Sequence, residues 1–136
     1  MPQISEVFIF NSKGKVEGRD TKWYMCISIN SSKYFIINSE RFKGYDDYLL
    51  KSSNCKFLKH DSYVECSEVH ILDEKLIIKK LGNIDYDDMK NILEVIKNSI
   101  GLSKGEIKAI STELEEWLKN YQENKLNDIF NKNRTK

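Results

Sequence analysis

Apolar positions in the first eighty residues come in short runs rich in β-branched and aromatic side chains, separated by polar stretches. Runs of this length and composition predict strands. They cover residues 4–10 (Ile-Ser-Glu-Val-Phe-Ile-Phe), 22–30, 33–38, 62–71 and 76–81. Ser31-Ser32 separates the second and third runs and predicts a tight hairpin. Residues 11–21 are polar with two glycines and predict an exposed loop. Residues 40–56 carry Gly44, Asp46, Asp47 and Asn54 and predict a longer one. Lys56-Phe57-Leu58-Lys59 is a short piece beyond it, Asp73-Glu74 marks a turn, and Gly82 is placed at the end of the last strand.

After Gly82 the period changes. Met89, Ile92, Leu93, Ile96 and Ile100 fall on one face of an amphipathic helix, predicted over 86–100. Asp85 suits its N-cap, Asp87 and Asp88 add negative charge where the helix dipole favours it, and Gly101 suits the C′ position. Ser103-x-x-Glu106 has capping-box spacing and opens a second helix, with Ile107, Ile110, Leu114, Trp117, Leu118 and Tyr121 on its face. Residues 122–136 are rich in Asn and Lys and predict a frayed tail, although Leu126, Ile129 and Phe130 are able to extend the stripe. Strands first and helices afterwards predict an α+β fold. The expected form is a small SH3-like antiparallel β-barrel followed by C-terminal helices. Residues 1–102 form the barrel with its helix, and 103–136 a helical extension.

Composition narrows the function. The 136 residues carry 22 Lys+Arg, 21 Asp+Glu and a single proline. A net charge of +1 excludes a strongly basic protein that coats nucleic acid. It also hides an asymmetry. Residues 1–60 hold ten basic and six acidic side chains, whereas residues 61–102 hold five basic and nine acidic. The first half is therefore able to present a local cationic face. No run approaches the ~20 apolar residues of a membrane span, and the first residues lack a signal-peptide pattern. Cys26, Cys55 and Cys66 are odd in number and lack CxxC spacing, which suits reduced thiols in a cytoplasmic protein. No ligand cluster calls for a metal, and no cofactor is expected.

The run from Asp61 through Ile96 (strand, aspartate turn, strand, glycine, then a helix opening on aspartates) resembles the C-terminal half of the MazF/PemK family of toxin ribonucleases. Phe57-Leu58-Lys59-His60-Asp61-Ser62-Tyr63-Val64 is similar to a PemK-like branch with an F-I-x-H-x-S-Y-V signature. Residues 4–10, 22–29 and 35–41 resemble the family's earlier strands, so the resemblance spans about residues 4–102. It implies a homodimeric SH3-like barrel that cleaves single-stranded RNA without a metal, is partnered by a cognate protein antitoxin, and works in the cytoplasm. It also implies an Arg at the start of the second main strand and a Thr or Ser at the end of the third, both acting on the scissile phosphate. The RNA's own 2′-OH is the nucleophile.

By position these roles fall on Lys22 and Ser39. Lysine departs from the pattern, because it offers a point charge in place of arginine's planar fork. Arg41, two residues past Ser39, is a further candidate catalytic residue and shares its strand face if the strand continues. His60 is the candidate acid–base group, since imidazole exchanges protons near neutral pH. Arg19, Trp23, Lys43 and Lys59 are the candidate RNA-binding residues. Tyr24, Tyr34, Phe35 and Tyr45 join Trp23 as rings able to stack on bases or to fill the barrel. The missing arginine keeps a second reading open. In it, the chain is a non-catalytic SH3-like barrel that binds protein or nucleic acid, a phage- or plasmid-encoded regulator or a relative of the gyrase-poisoning CcdB branch.

Overall fold

A computed structural model describes residues 2–16, 19–40 and 46–134, with the backbone alone at 12–16, 19–20 and 132–134. Its strands are β1 (Glu6–Val16), β2 (Arg19–Ser28), β3 (Lys33–Asn38), β4 (Asp47–Leu50), β5 (Ser62–Glu65), β6 (His70–Ile71) and β7 (Ile77–Asn83). Helices α1 (Tyr86–Lys97) and α2 (Lys104–Arg134) follow. Among the described residues the strands form one sheet in the order β4-β5-β3-β2-β1-β7, with β6 also pairing to β3. Every pairing is antiparallel. The α+β expectation holds.

The central strands are apolar on both faces because both faces are covered. Val7, Met25, Ile27, Phe35 and Ile37 join Leu50, Val64 and the helix residues Met89, Ile92, Ile96, Ile110, Leu114 and Leu118 in one cluster. Phe8, Phe10, Tyr24, Cys26, Tyr34 and Ile36 form a second cluster under Leu72, Leu76 and Ile77. Two-sided burial explains why β2 and β3 read as nearly continuous apolar runs. Each large aliphatic side chain buried this way contributes about 1.5–3 kcal/mol.

The first strand pair is longer than predicted. Instead of a loop over 11–21, β1 and β2 continue as a hairpin, with Asn11 opposite Thr21 and Val16 opposite Arg19. The arm reads as loop because it carries no apolar alternation. Backbone ladder bonds alone can hold such an arm beyond the core. The turn from β2 to β3 falls where expected but takes four residues, 29–32, rather than Ser31-Ser32 alone, and Ser32 takes a left-handed φ of 50° there.

Part of the predicted 40–56 loop is strand β4, which pairs with β5 from Asp47↔Glu65 to Leu50↔Ser62. The predicted 62–71 strand is broken in two. At the break the Cys66 N–H donates to the Asp46 carbonyl at 3.0 Å. The chain then turns, so β5 pairs with the end of β3 and β6 with its beginning. Gly82 lies inside β7, where the Phe57 ring occupies the space beside its Cα.

Helix α1 starts as predicted: the Asp88 N–H donates to Asp85 Oδ1 at 2.9 Å. It ends earlier than predicted, at Lys97 with Asn98 as its cap, and Ile100 is exposed rather than part of the buried stripe. Gly101 does not serve as the C′ residue. It passes against Ser67, where a Cβ would stand 2.6 Å from the carbonyl oxygen. The capping box closes in both directions, from Ser103 N–H to Glu106 Oε1 and from Glu106 N–H to Ser103 Oγ, each at 3.1 Å. The tail expected to fray continues as helix to Arg134. Glu113 ties α2 to the sheet, accepting from Ser28 Oγ at 2.7 Å and from the Ile29 N–H at 2.8 Å. Among the described residues no helix is long and apolar enough to cross a membrane.

Candidate active site

Strands β2, β3 and β5 are antiparallel neighbours, so the start of the β2 body, the end of β3 and the start of β5 meet at one end of the sheet. The registers place Trp23 opposite Ile37 and Asn38 opposite Tyr63. At this end lies a cleft of about 680 Å³ lined by Thr21, Lys22, Trp23, Ile37, Asn38, Ser39, His60 and Ser62. Four of the residues singled out from the sequence, Lys22, Trp23, Ser39 and His60, therefore share one cavity, although up to 38 positions separate them.

Lys22 is half-buried on β2, and its Nζ reaches Asn38 Oδ1 at 3.4 Å. Asn38 in turn donates from Nδ2 to Glu65 Oε2 at 3.2 Å, and Ser67 Oγ donates to Glu65 Oε1 at 3.2 Å. Glu65 is only 5% exposed. Burial pushes its carboxyl above the usual range, against the hydrogen bond from Ser67, with Glu68 adding to the rise.

His60 is exposed, with Nδ1 3.1 Å from the Asp61 carbonyl. The segment carrying it is pinned from both sides. Ser62 Oγ donates to the His60 carbonyl at 3.2 Å. Asp61 Oδ1 accepts from the Ser52 N–H at 2.8 Å and from Ser52 Oγ at 3.2 Å. Those two bonds lower the Asp61 carboxyl below its ordinary value.

The remaining sequence candidates lie elsewhere. Lys59 is exposed in the segment before His60 and is not among the lining residues. Arg19 pairs with Val16 through its backbone at the far end of the hairpin. Arg41, Lys43 and Tyr45 lie outside the described residues. Of the aromatic candidates, Tyr24, Tyr34 and Phe35 are core side chains, because the two-sided sheet buries them. Trp23 remains half-buried at the cleft, its ring centroid 6.3 Å from that of Phe57. His70 packs edge-on to Tyr24 with centroids 5.4 Å apart, away from the cleft.

Thr21, Asn38 and Ser62 are lining residues that sequence reasoning passed over, and Glu65 behind them was passed over too. Thr21 and Asn38 flank residues that were chosen and Ser62 lies two past one, but only the strand register shows that they face the same space. The three thiols are buried, Cys26 in one cluster and Cys55 and Cys66 in the other. Burial raises all three, Cys26 to about 12 and Cys55 to about 11.

The cleft thus gathers one ammonium, hydroxyls from Thr21, Ser39 and Ser62, one imidazole, one amide and one indole face. No carboxylate is among its described lining residues. A cation and hydroxyl donors suit a phosphate, an imbalance that would suit a divalent cation poorly. An adjacent indole suits a base.

No protein-family model matches the chain, and no curated protein sequence matches it. Solved structures do. An endoribonuclease in complex with its cognate antitoxin, from a Mycobacterial species, superposes with a TM-score of 0.56 at 16% identity, covering 76% of this chain and 98% of that one. The Mycobacterium tuberculosis toxin MazF-mt6 superposes with a TM-score of 0.54 at 11% identity, covering 72% and 98%. The chain has the fold of this endoribonuclease and of the MazF-mt6 toxin, each carried nearly whole within it.

Proposed function

We propose that the protein is a MazF/PemK-like toxin, an endoribonuclease that cleaves single-stranded RNA without a metal. The observation that carries this reading is the convergence of Lys22, Ser39, His60 and Trp23 on one cleft, with no carboxylate among its described lining residues, in a fold shared with an endoribonuclease. In the proposed reaction the 2′-oxygen attacks the adjacent phosphorus while the P–O5′ bond breaks. The products are a 2′,3′-cyclic phosphate and a 5′-hydroxyl. His60 exchanges the proton at one end, either taking it from the 2′-OH or giving one to the departing 5′-oxygen, and solvent water exchanges the matching proton at the other end. Lys22 balances the negative charge that grows on the equatorial oxygens, and Ser39 donates a hydrogen bond to one of them. Trp23 stacks on a flanking base. Arg41 is a further proposed catalytic cation, and Arg19, Lys43 and Lys59 are further proposed RNA contacts, all four assigned from the sequence alone. In this reading the protein acts in the cytoplasm as a homodimer and is held in check by a cognate protein antitoxin; the antitoxin complex of the mycobacterial neighbour supports the last part.

The test is incubation of a mixed-sequence RNA with micromolar protein in the presence of EDTA. Cleavage with cyclic-phosphate ends is expected. The same sequence made with 2′-deoxyribose throughout should stay intact. Lys22→Ala and Ser39→Ala should each lower the rate about 10²–10³-fold. Intact RNA, or full activity in Ser39→Ala, sinks the reading and leaves the non-catalytic binding module in its place.

A further inference from the structure

We propose that Asn38 and Glu65 are positioning residues that hold the Lys22 ammonium at its place in the cleft. The inference rests on the ribonuclease reading for its kinetic consequence, but the arrangement itself can be tested without RNA.

Three groups stand in line: Lys22 Nζ, the Asn38 amide and the Glu65 carboxylate, with separations of 3.4 and 3.2 Å. Lysine only donates and an ionised carboxylate only accepts. An amide between them has one consistent orientation, with its oxygen toward the ammonium and its nitrogen toward the carboxylate. Glu65 thereby fixes the direction of the Asn38 dipole, and the Asn38 carbonyl gives the flexible lysine a fixed anchor. The far oxygen of Glu65 is held by Ser67, so the carboxylate cannot swing away. Burial makes the arrangement stiff. Glu65 is 5% exposed and sits on β5, paired on one side with Asp47 of β4. Asn38 ends β3 directly before Ser39.

The arrangement answers the problem raised by lysine in place of arginine. A guanidinium is planar and pre-shaped for a phosphate, whereas an ammonium on four methylenes must be positioned by its surroundings. A cation held where charge develops matters more in the transition state than in the ground state. A loosened Lys22 still meets the bound phosphate, but not at the place the phosphorane needs it. Displacement by about 1 Å can cost ~10²-fold in rate.

The experiment is a kinetic double-mutant cycle on the full chain. Asn38→Ala should lower kcat about 10–100-fold with KM changed less than about threefold. In the Lys22→Ala background the same change should do almost nothing, because the anchored group is gone. Glu65→Ala should behave like Asn38→Ala. Glu65→Gln should recover most of the rate, since its amide oxygen still accepts from Asn38 while the Ser67 hydroxyl turns to accept from its nitrogen. In parallel, the Asn38 side-chain amide is followed by NMR without RNA. A rigid signal pair in the wild type that becomes mobile in Glu65→Ala is expected. If the wild type leaves RNA intact but those signals behave as stated, the ribonuclease reading falls and the anchoring stands. Multiplying effects of Asn38→Ala and Lys22→Ala, or an Asn38 amide already mobile in the wild type, would overturn the inference.

Discussion

Asp46 offers the sharpest test of how this fold is held together. It is only 3% exposed, and its carboxylate collects the start of the α1–α2 connection. It accepts from Ser99 Oγ at 2.8 Å, from the Ile100 N–H at 3.1 Å and from the Gly101 N–H at 2.8 Å. Its backbone carbonyl accepts from Cys66, so the same residue joins the sheet to the helices. In Asp46→Ala the Ser99 hydroxyl has a second acceptor, the Cys66 carbonyl at 3.5 Å. The two backbone N–H groups lose theirs. Hydrogen bonds to a charged acceptor contribute about 1.5–3 kcal/mol each. Ile100 and Gly101 are exposed as residues, so water partly replaces the lost acceptor and the lower end applies. The expected destabilisation is about 3 kcal/mol, a large fraction of the ~5–15 kcal/mol that holds a domain folded. Urea denaturation followed by circular dichroism at 222 nm reads it directly. With a slope of about 1–3 kcal/mol per molar, the midpoint should fall by roughly 1–3 M with the slope unchanged. Asp46→Asn keeps one acceptor and should fall about half as far. A loss below about 1 kcal/mol in Asp46→Ala would refute the idea that this carboxylate anchors the connection.

Gly101→Ala should cost about 1–3 kcal/mol by overpacking, because the new methyl would stand 2.6 Å from the Ser67 carbonyl oxygen and 2.7 Å from its Cβ; a thermal melt matching the wild type would contradict that close approach. Burial raises the Asp88 carboxyl, opposed by the Tyr48 hydroxyl that donates to it at 2.5 Å and helped by nearby Asp85. A raised folded value means that Asp88's contribution is present below the unfolded value of about 3.9 and is lost as pH rises through the folded one. Asp88→Asn should therefore gain stability relative to the wild type as pH rises from 4 toward 7, and a constant difference between their urea midpoints across that range would contradict the sign. Asp85→Ala removes the N-cap bond to Asp88 N–H and should cost about 1 kcal/mol, checked by the same melts. Truncation after Gln122 removes a segment whose residues 123–131 are all exposed, so the melting temperature should move by only a few degrees; loss of cooperative unfolding would show that distal α2 belongs to the core.

Much of this protein is decided locally and was legible along the chain. The order of strands then helices, the Asp85 cap and the Ser103–Glu106 capping box follow from residues within a few positions of one another. So do the buried stripe of Met89, Ile92, Leu93 and Ile96 and the turn between β2 and β3. Each is governed by side-chain periodicity or by a hydrogen bond spanning three or four residues, which sequence spacing encodes. The candidates Lys22, Ser39 and His60 were also visible, through the order of short motifs.

Tertiary structure decided what depends on pairing across distance. The polar stretches 11–16 and 19–21 are paired strand because two backbones bond each other, and no apolar pattern announces that. The 62–71 run breaks into β5 and β6, which pair with opposite ends of β3, and β4 exists because β5 is beside it. Tyr24 and Tyr34 are core rather than stacking platforms because a second apolar layer covers them. The cleft itself is a register effect: three strand ends meet there, so a lysine, an asparagine and a buried glutamate up to 43 positions apart come into line. A linear pattern reports which face of its own element a side chain occupies. It does not report what stands opposite, and the chemistry proposed here depends on what stands opposite Lys22.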